Sequence, residues 1–308
     1  MNRRALLAGL CALPLSSCAT SHGIGTRGPG VAITVDDFNL ADDARLSGEA
    51  RDTAIRQTLA QHGIKGAGFV AGKNIDAALA PSVLNAWSAD GHILGNHTFS
   101  HTYYTGDDPA GYMANIRKCQ ALLSPYSGFR KLFRYPFLGE GKTAEGRDAL
   151  RALLRADGYR IGHVTIDTSD WFYASRLTAR LKTDPDIDLA PYRQAYLDHL
   201  WDRATYYDGL AQVVFGHSLD HTLLLHHNLT TGLFLGDVLD MFTDKGWRLV
   251  DASPAFTQPE FTRDYKTLPS GQSLVWAAAK ASGSYDRQLR YPGEDERYEA
   301  PKMDRLGL

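Results

Sequence analysis

Short apolar runs bounded by Gly, Pro, Asn or Asp recur along the chain. Each has the length and punctuation of a strand buried on both faces. Seven stand out: "VAITVDD" (31–37), "GAGFVAG" (66–72), "HILGNH" (92–97), "KLFRYP" (131–136), "GHVTIDT" (162–168), "TLLLHH" (222–227) and "WRLVDA" (247–252). Stretches of helical period lie between them. "ARDTAIRQTLAQHG" ends at Gly63 and "PSVLNAWSADG" runs from Pro81 to Gly91, which are favoured stop and start residues. "AEGRDALRALLRADG" places Leu150, Leu153 and Leu154 on one face. A longer helical region covers about 189–213, and "LFLGDVLDMFTDKG" leads into the last run. Strand and helix alternating in this way predict an α/β protein with a parallel sheet. Seven units over residues 31–255 fit a closed or nearly closed barrel better than an open doubly wound sheet.

The two ends of the chain follow other patterns. "MNRRALLAGLCALPLSSCAT" (1–20) has a basic start, an apolar centre and a small-residue end, the layout of a signal peptide. Leu15-Ser16-Ser17-Cys18 resembles a bacterial lipoprotein cleavage site, which would make Cys18 a lipidated N-terminus and attach the chain to a membrane. Simple cleavage near Ala19 is the alternative. Either route sends the protein to the periplasm or cell envelope. "SHGIGTRGPG" (21–30) reads as a linker. Residues 256–308 are polar, charged and interrupted by proline; they predict an extension strapped over the barrel or partly disordered, not a second domain.

Composition narrows this picture little. Hydrophobic residues at 44%, charged residues at 22% and a formal charge of −2 carry no footprint of a nucleic-acid partner. Of three cysteines, Cys11 and Cys18 lie in the leader, so Cys119 stands alone and no internal disulfide is expected. Nothing in the sequence points to a protein partner.

The strand ends carry the chemistry, because a β/α barrel gathers its reactive residues at the carboxyl edge of the sheet. The first run ends in Asp36-Asp37 and the third in His97, with His101 four residues on. The fourth ends in Arg134-Tyr135-Pro136, the fifth in Asp167-Thr168-Ser169-Asp170-Trp171, the sixth in His226-His227-Asn228. Two imidazoles and one carboxylate can hold Zn2+ or another divalent transition metal and leave positions open. Asp37 is the natural carboxylate beside His97 and His101. Asp36 could then take a proton from water and His226 could deliver one to a leaving group. Of the adjacent pair, only one histidine can face the barrel mouth. His227, His92, His217 and His221 read as structural, Asp167 is open between support and site, and Tyr103 and Tyr104 could stack on a sugar or simply pack.

The ordered set "TVDDF", "HTFSH", "RYPFLG", "DTSDW" and "LLLHH" resembles the five motifs of the polysaccharide deacetylases, carbohydrate esterase family 4, over about residues 30–255. The resemblance implies a distorted seven-stranded (β/α) barrel and metal-dependent removal of acetyl groups from an envelope or extracellular polysaccharide, N-acetyl before O-acetyl. It implies Asp36 as catalytic base and Asp37, His97 and His101 as metal ligands. Arg134 would orient Asp36, and the Tyr135 N–H would help hold an oxyanion. Asp170 would tune His226 as general acid, and Trp171 would wall the acetyl pocket. Two departures stand out: Phe38-Asn39 where the family has Gly after the Asp pair, and Gly139 two residues later than is common. Both are expected to touch the groove rim. A metal-dependent hydrolase of a non-sugar amide, or a non-catalytic glycan-binding envelope protein, are the rival readings. The second is disfavoured by the intact set of Asp36, Asp37, His97, His101 and His226.

Overall fold

A computed structural model describes residues 28–75 and 77–308. The leader and most of the linker therefore lie outside the described residues. Seven parallel strands form one curled sheet: β1 (Gly30–Asp37), β2 (Ala67–Val70), β3 (Ile93–Asn96), β4 (Phe129–Phe133), β5 (Arg160–Ile161), β6 (Asp220–His226) and β7 (Arg248–Leu249). Their order is β5-β4-β3-β2-β1-β6, with β7 beside β1. Helices α1 (Gly48–Gln61), α2 (Ala80–Ala89), α3 (Pro109–Leu123), α4 (Ala144–Ala156), α5 (Asp170–Thr183), α6 (Ala190–Phe215) and α7 (Leu229–Asp244) occupy the crossovers. This is the nearly closed (β/α) barrel that the strand and helix alternation predicts, in the distorted form that the motif resemblance implies.

Register decides what meets at the carboxyl edge. β1 pairs with β6 from Gly30↔Asp220 to Asp36↔His226, and with β2 up to Asp37↔Val70. Val70 in turn stands opposite Asn96, and Asn96 opposite Phe133. The residues at or just past these positions are Asp36, Asp37, His97, Arg134 and His226, so one row of backbone pairing levels them. β7 pairs only with Gly30 and Val31, at the far end of β1. It contributes no strand end to the mouth, consistent with its lack of reactive residues.

The fifth run departs from expectation. Only Arg160–Ile161 is strand, against β4, and the residues from 162 to 168 bend away. The bend has a cause: Gly162 donates its N–H to Phe133 O at 2.7 Å and then gives its carbonyl to Arg134. The chain next meets β6 through the bridge Ile166↔Leu223, with Leu224 N–H on Ile166 O at 3.0 Å. One segment thus leaves one edge of the curl and joins the other.

The main apolar cluster spans the sheet and its helices, with Trp87, Ile33, Leu59, Leu223 and Leu239 among its fully buried members. Each such side chain contributes about 1.5–3 kcal/mol relative to exposure. Residues 256–308 are part of this core. They fold into α9 (Leu274–Ser282) and α10 (Glu296–Leu306) after the short α8 (Ala252–Ala255), and Val275, Trp276, Ala279 and Met303 pack into the main cluster. Among the described residues no helix is long and apolar enough to cross a membrane.

Candidate metal centre and active-site cavity

The Asp36-Asp37 pair ends β1 on a sharp turn. Asp37 has φ 77° and Phe38 φ 52°, left-handed values that cost a non-glycine residue roughly 1–3 kcal/mol and cluster at functional sites. Phe38 supplies the compensation. Its ring is fully buried, 4.8 Å from the Trp87 ring and 5.4 Å from His227. The expectation that Phe38 sits on the groove rim is therefore incorrect; it is an apolar anchor beneath the turn. His227 is structural as expected, bridging the Asn39 carbonyl and Asp52.

The loop after β3 is built to present two imidazoles. Asn96 accepts from Thr98 N–H at 2.9 Å, and Asn115 accepts from Phe99 and Ser100 N–H groups. Thr98 (φ 64°) and His101 (φ 51°) take left-handed conformations inside this frame. His97 Nδ1 lies 2.8 Å from Arg134 O. A carbonyl can only accept, so Nδ1 carries the proton and Nε2 keeps a lone pair. That Nε2 lies 3.5 Å from Asp37 Oδ1, and His101 Nε2 lies 2.9 Å from the same oxygen. The three candidate ligand atoms are all within 4.8 Å of one another. Asp37 Oδ1 is buried and satisfied by no well-directed hydrogen bond, despite the nearby His101. Burial pushes the Asp37 carboxyl up, yet His101 and His97 outweigh it and hold the group well below the usual carboxylate range. Converging lone pairs around an orphaned carboxylate oxygen need a shared positive charge. The donor set and this orphan fit a divalent cation.

Arg134 is fully buried and spreads its guanidinium over three acceptors: Gly162 O at 2.9 Å, Thr34 Oγ1 at 2.8 Å and Asp36 Oδ1 at 2.6 Å. It rests 3.9 Å above the Phe69 ring. That ring needs glycine on both flanks, since a Cβ at Gly95 would come within 2.6 Å of it and one at Gly162 within 2.4 Å. Across the mouth, His226 Nδ1 meets Asp170 Oδ1 at 2.6 Å. The other Asp170 oxygen accepts from the His226 and Asn228 N–H groups, each at 2.8 Å. Burial would lower the His226 pKa, but the Asp170 charge and hydrogen bond, with help from Asp37 and Asp36, lift it to about 10. His226 is thus held as the imidazolium.

Asp36, Asp37, His97, His101 and His226 share one cavity of about 430 Å3. Trp171 (40% exposed) and Phe137 (63% exposed) form apolar walls, and the Phe137 ring stands 4.9 Å from that of His101. Tyr103 is half exposed beside Phe137, whereas Tyr104 packs in the core. Tyr135 and Trp171 line the cavity too, whereas Arg134 and Asp170 stand behind Asp36 and His226. Asp167, left open from sequence, lines the cavity. Gln272, Gly293 and Glu294 also line it and were not anticipated. They lie in the C-terminal extension, where no strand pattern marks them. The late glycine offers the one signal: Gly139 forms an antiparallel bridge with Gly271, which seats the extension on the β4–α4 loop.

Residues 24–161 match the sequence profile described as polysaccharide deacetylase. A peptidoglycan-N-acetylglucosamine deacetylase of Bacillus cereus is 28% identical over 141 residues, 46% of this chain and 46% of that protein. A chitin deacetylase of Colletotrichum lindemuthianum is 28% identical over 142 residues, 46% of this chain and 52% of that protein. The match thus spans about half the length of these relatives. The solved chitin deacetylase of Colletotrichum lindemuthianum superposes with a TM-score of 0.54 at 22% identity, covering 79% of this chain and 96% of that one, and so shares the fold.

Proposed function

Since residues 24–161 match the polysaccharide deacetylase profile, we propose that this protein is a divalent-metal-dependent deacetylase of an acetylated envelope or extracellular polysaccharide, with N-acetyl groups as the preferred target. One observation carries the reading. The Asp37–His97–His101 cluster, Asp36 backed by Arg134 and His226 backed by Asp170 open into a single cavity with apolar walls. The exposed aromatic faces of Trp171 and Phe137 favour sugar rings over small amides. Export through residues 1–20, with Cys18 as a lipid anchor, belongs to the same proposal.

Asp37, His97 and His101 hold the cation. When bound, zinc or a similar ion polarises the acyl carbonyl and acidifies water. Asp36 removes the proton from the attacking water, and Arg134 fixes which Asp36 oxygen faces it. The Tyr135 ring packs in a buried cluster with Phe133 and Tyr104 and so fixes the backbone whose N–H we assign to the oxyanion. The His226 imidazolium gives its proton to the departing amine. Asp170 holds the Nδ1 proton of His226, which leaves the Nε2 proton for transfer, and Trp171 flanks the acetyl group.

Acetate release from chitin oligomers, peptidoglycan and acetylated plant polysaccharides tests this reading. Asp36→Asn should lower kcat by about two to four orders of magnitude. His97→Ala should abolish turnover together with metal binding. Release by the wild type that survives both changes would refute the mechanism.

A further inference from the structure

The C-terminal extension does more than cover the barrel. Residues 270–274 run across its mouth: Glu140 N–H bonds Ser270 O at 3.4 Å, Gln272 N–H bonds Leu138 O at 3.0 Å, and Leu274 N–H bonds Val164 O at 2.7 Å. Gln272 then accepts from Gly293 N–H at 2.8 Å through its amide oxygen, which leaves its NH2 as a free donor. This bond draws the second segment, Pro292 to Glu294, into the same wall of the cavity.

Two carboxyl groups meet there. Glu294 is anchored through Oε1, which accepts from Arg290 at 2.6 Å and Arg203 at 3.2 Å. Its side chain is 1% exposed, and Oε2 has no hydrogen-bond partner among the described residues. Asp167 is 7% exposed, lines the same wall, and forms no ion pair or side-chain hydrogen bond among the described residues; its one hydrogen bond comes from the Thr168 backbone N–H. Asp167 Oδ2 would lie 3.1 Å from a Cβ at position 293, so Gly293 is what lets the extension approach it. The other acids of the cavity are committed: Asp36 to Arg134, Asp37 to the imidazoles, Asp170 to His226. A buried polar atom with no partner loses a full hydrogen bond's worth of solvation, unless a ligand supplies the donor.

We propose that Asp167, Glu294 and the Gln272 amide form a specificity subsite that binds hydroxyl groups of the substrate sugar. The subsite is completed only by the C-terminal extension. Two acceptors and one donor on a rigid wall, facing apolar aromatic surfaces, suit a polyhydroxylated ring and not a plain alkyl amide. Burial, with Glu294 nearby, holds the Asp167 carboxyl well above its usual range, and burial lifts Glu294 to about 7 despite Arg203. Both are groups that a donor-rich ligand would relieve. The inference rests on the deacetylase reading for its substrate class.

Calorimetric titration of the zinc-loaded full chain with the N-acetylglucosamine tetramer separates the two. Asp167→Asn and Glu294→Gln are each expected to weaken binding about tenfold, or about 1.4 kcal/mol. Asp167 has no side-chain partner to lose, so its variant should melt like the wild type and decide the matter even if Glu294→Gln unfolds. A folded Asp167→Asn protein that binds within about twofold of wild type overturns the subsite, as does a wild type that binds no acetylated oligomer. Acetate release in the same samples reports on the reaction alone. Binding that depends on Asp167 without acetate release keeps the subsite and removes the deacetylase reading. Release with unchanged binding in the variant does the reverse.

Discussion

At the scale of single residues, the Asp170–His226 pair makes the most direct prediction. The His226 pKa is raised from its ordinary 6.5 to about 10, against burial and chiefly through Asp170. A raised pKa means that the bound proton favours the folded state. That contribution is complete below 6.5 and is lost as pH rises through about 10. The acid form needed for leaving-group protonation should therefore persist to alkaline pH, with activity falling near the upper value. In Asp170→Asn the charge is gone, and the basic limb of the pH–rate profile should move down toward neutrality while kcat falls about a hundredfold or more. An unchanged basic limb would show that another group supplies the proton. The residues of this site were legible in the sequence because most sit at or shortly past a strand end, and five such motifs occur in one order. Glu294 and Gln272 were not legible. Their place in the cavity depends on a backbone pairing between Gly139 and Gly271, more than a hundred residues apart in sequence, that no local pattern encodes.

At the scale of elements, the site depends on a layer that contains no reactive group. Gly95 of β3 and Gly162 after β5 flank the Phe69 ring, and that ring supports Arg134. Gly95→Ala should force the ring aside, since the added Cβ would lie 2.6 Å from Phe69 and 3.3 Å from the Leu132 carbonyl. Overpacking of this kind costs about 1–3 kcal/mol. A lower denaturant midpoint is expected, together with a fall in acetate release larger than the loss of folded protein explains. A variant with full stability and full activity would mean that Arg134 does not need the ring. Apart from the fifth run, strand positions were read well because apolar runs between turn residues are a strong local signal. Helices fared less well. α3 begins at Pro109 behind the Asp108 cap, and its apolar face (Met113, Ile116, Cys119, Leu123) is broken by Gly111 and two basic residues. α5 begins at Asp170, so the motif residues that mark the site also open a helix, and the chemistry masked the period.

At the scale of the whole molecule, the candidate metal ligands link strands that are distant in sequence and not directly paired with each other. Asp37 ends β1, whereas His101 lies five residues beyond β3, with β2 between the two strands. A cation held by both binds only the folded chain, because the unfolded chain has no such cluster. It should raise stability by about 2.7 kcal/mol at a free concentration one hundred times its dissociation constant. For a domain of this size, each kcal/mol shifts the melting temperature by roughly 2–4 °C. Zinc should therefore raise the melting temperature by about 5–10 °C, and a chelator should reverse it. His101→Ala is the informative control. The His101 side chain is 15% exposed and its ring leans on the exposed Phe137, so its removal opens no deep cavity and the apo protein should melt near the wild type. The zinc-dependent rise should then shrink to a small remainder, because two ligands replace three. If the wild type and His101→Ala proteins gain equally from zinc, the ion binds elsewhere, and the Asp37–His97–His101 cluster is not the metal centre.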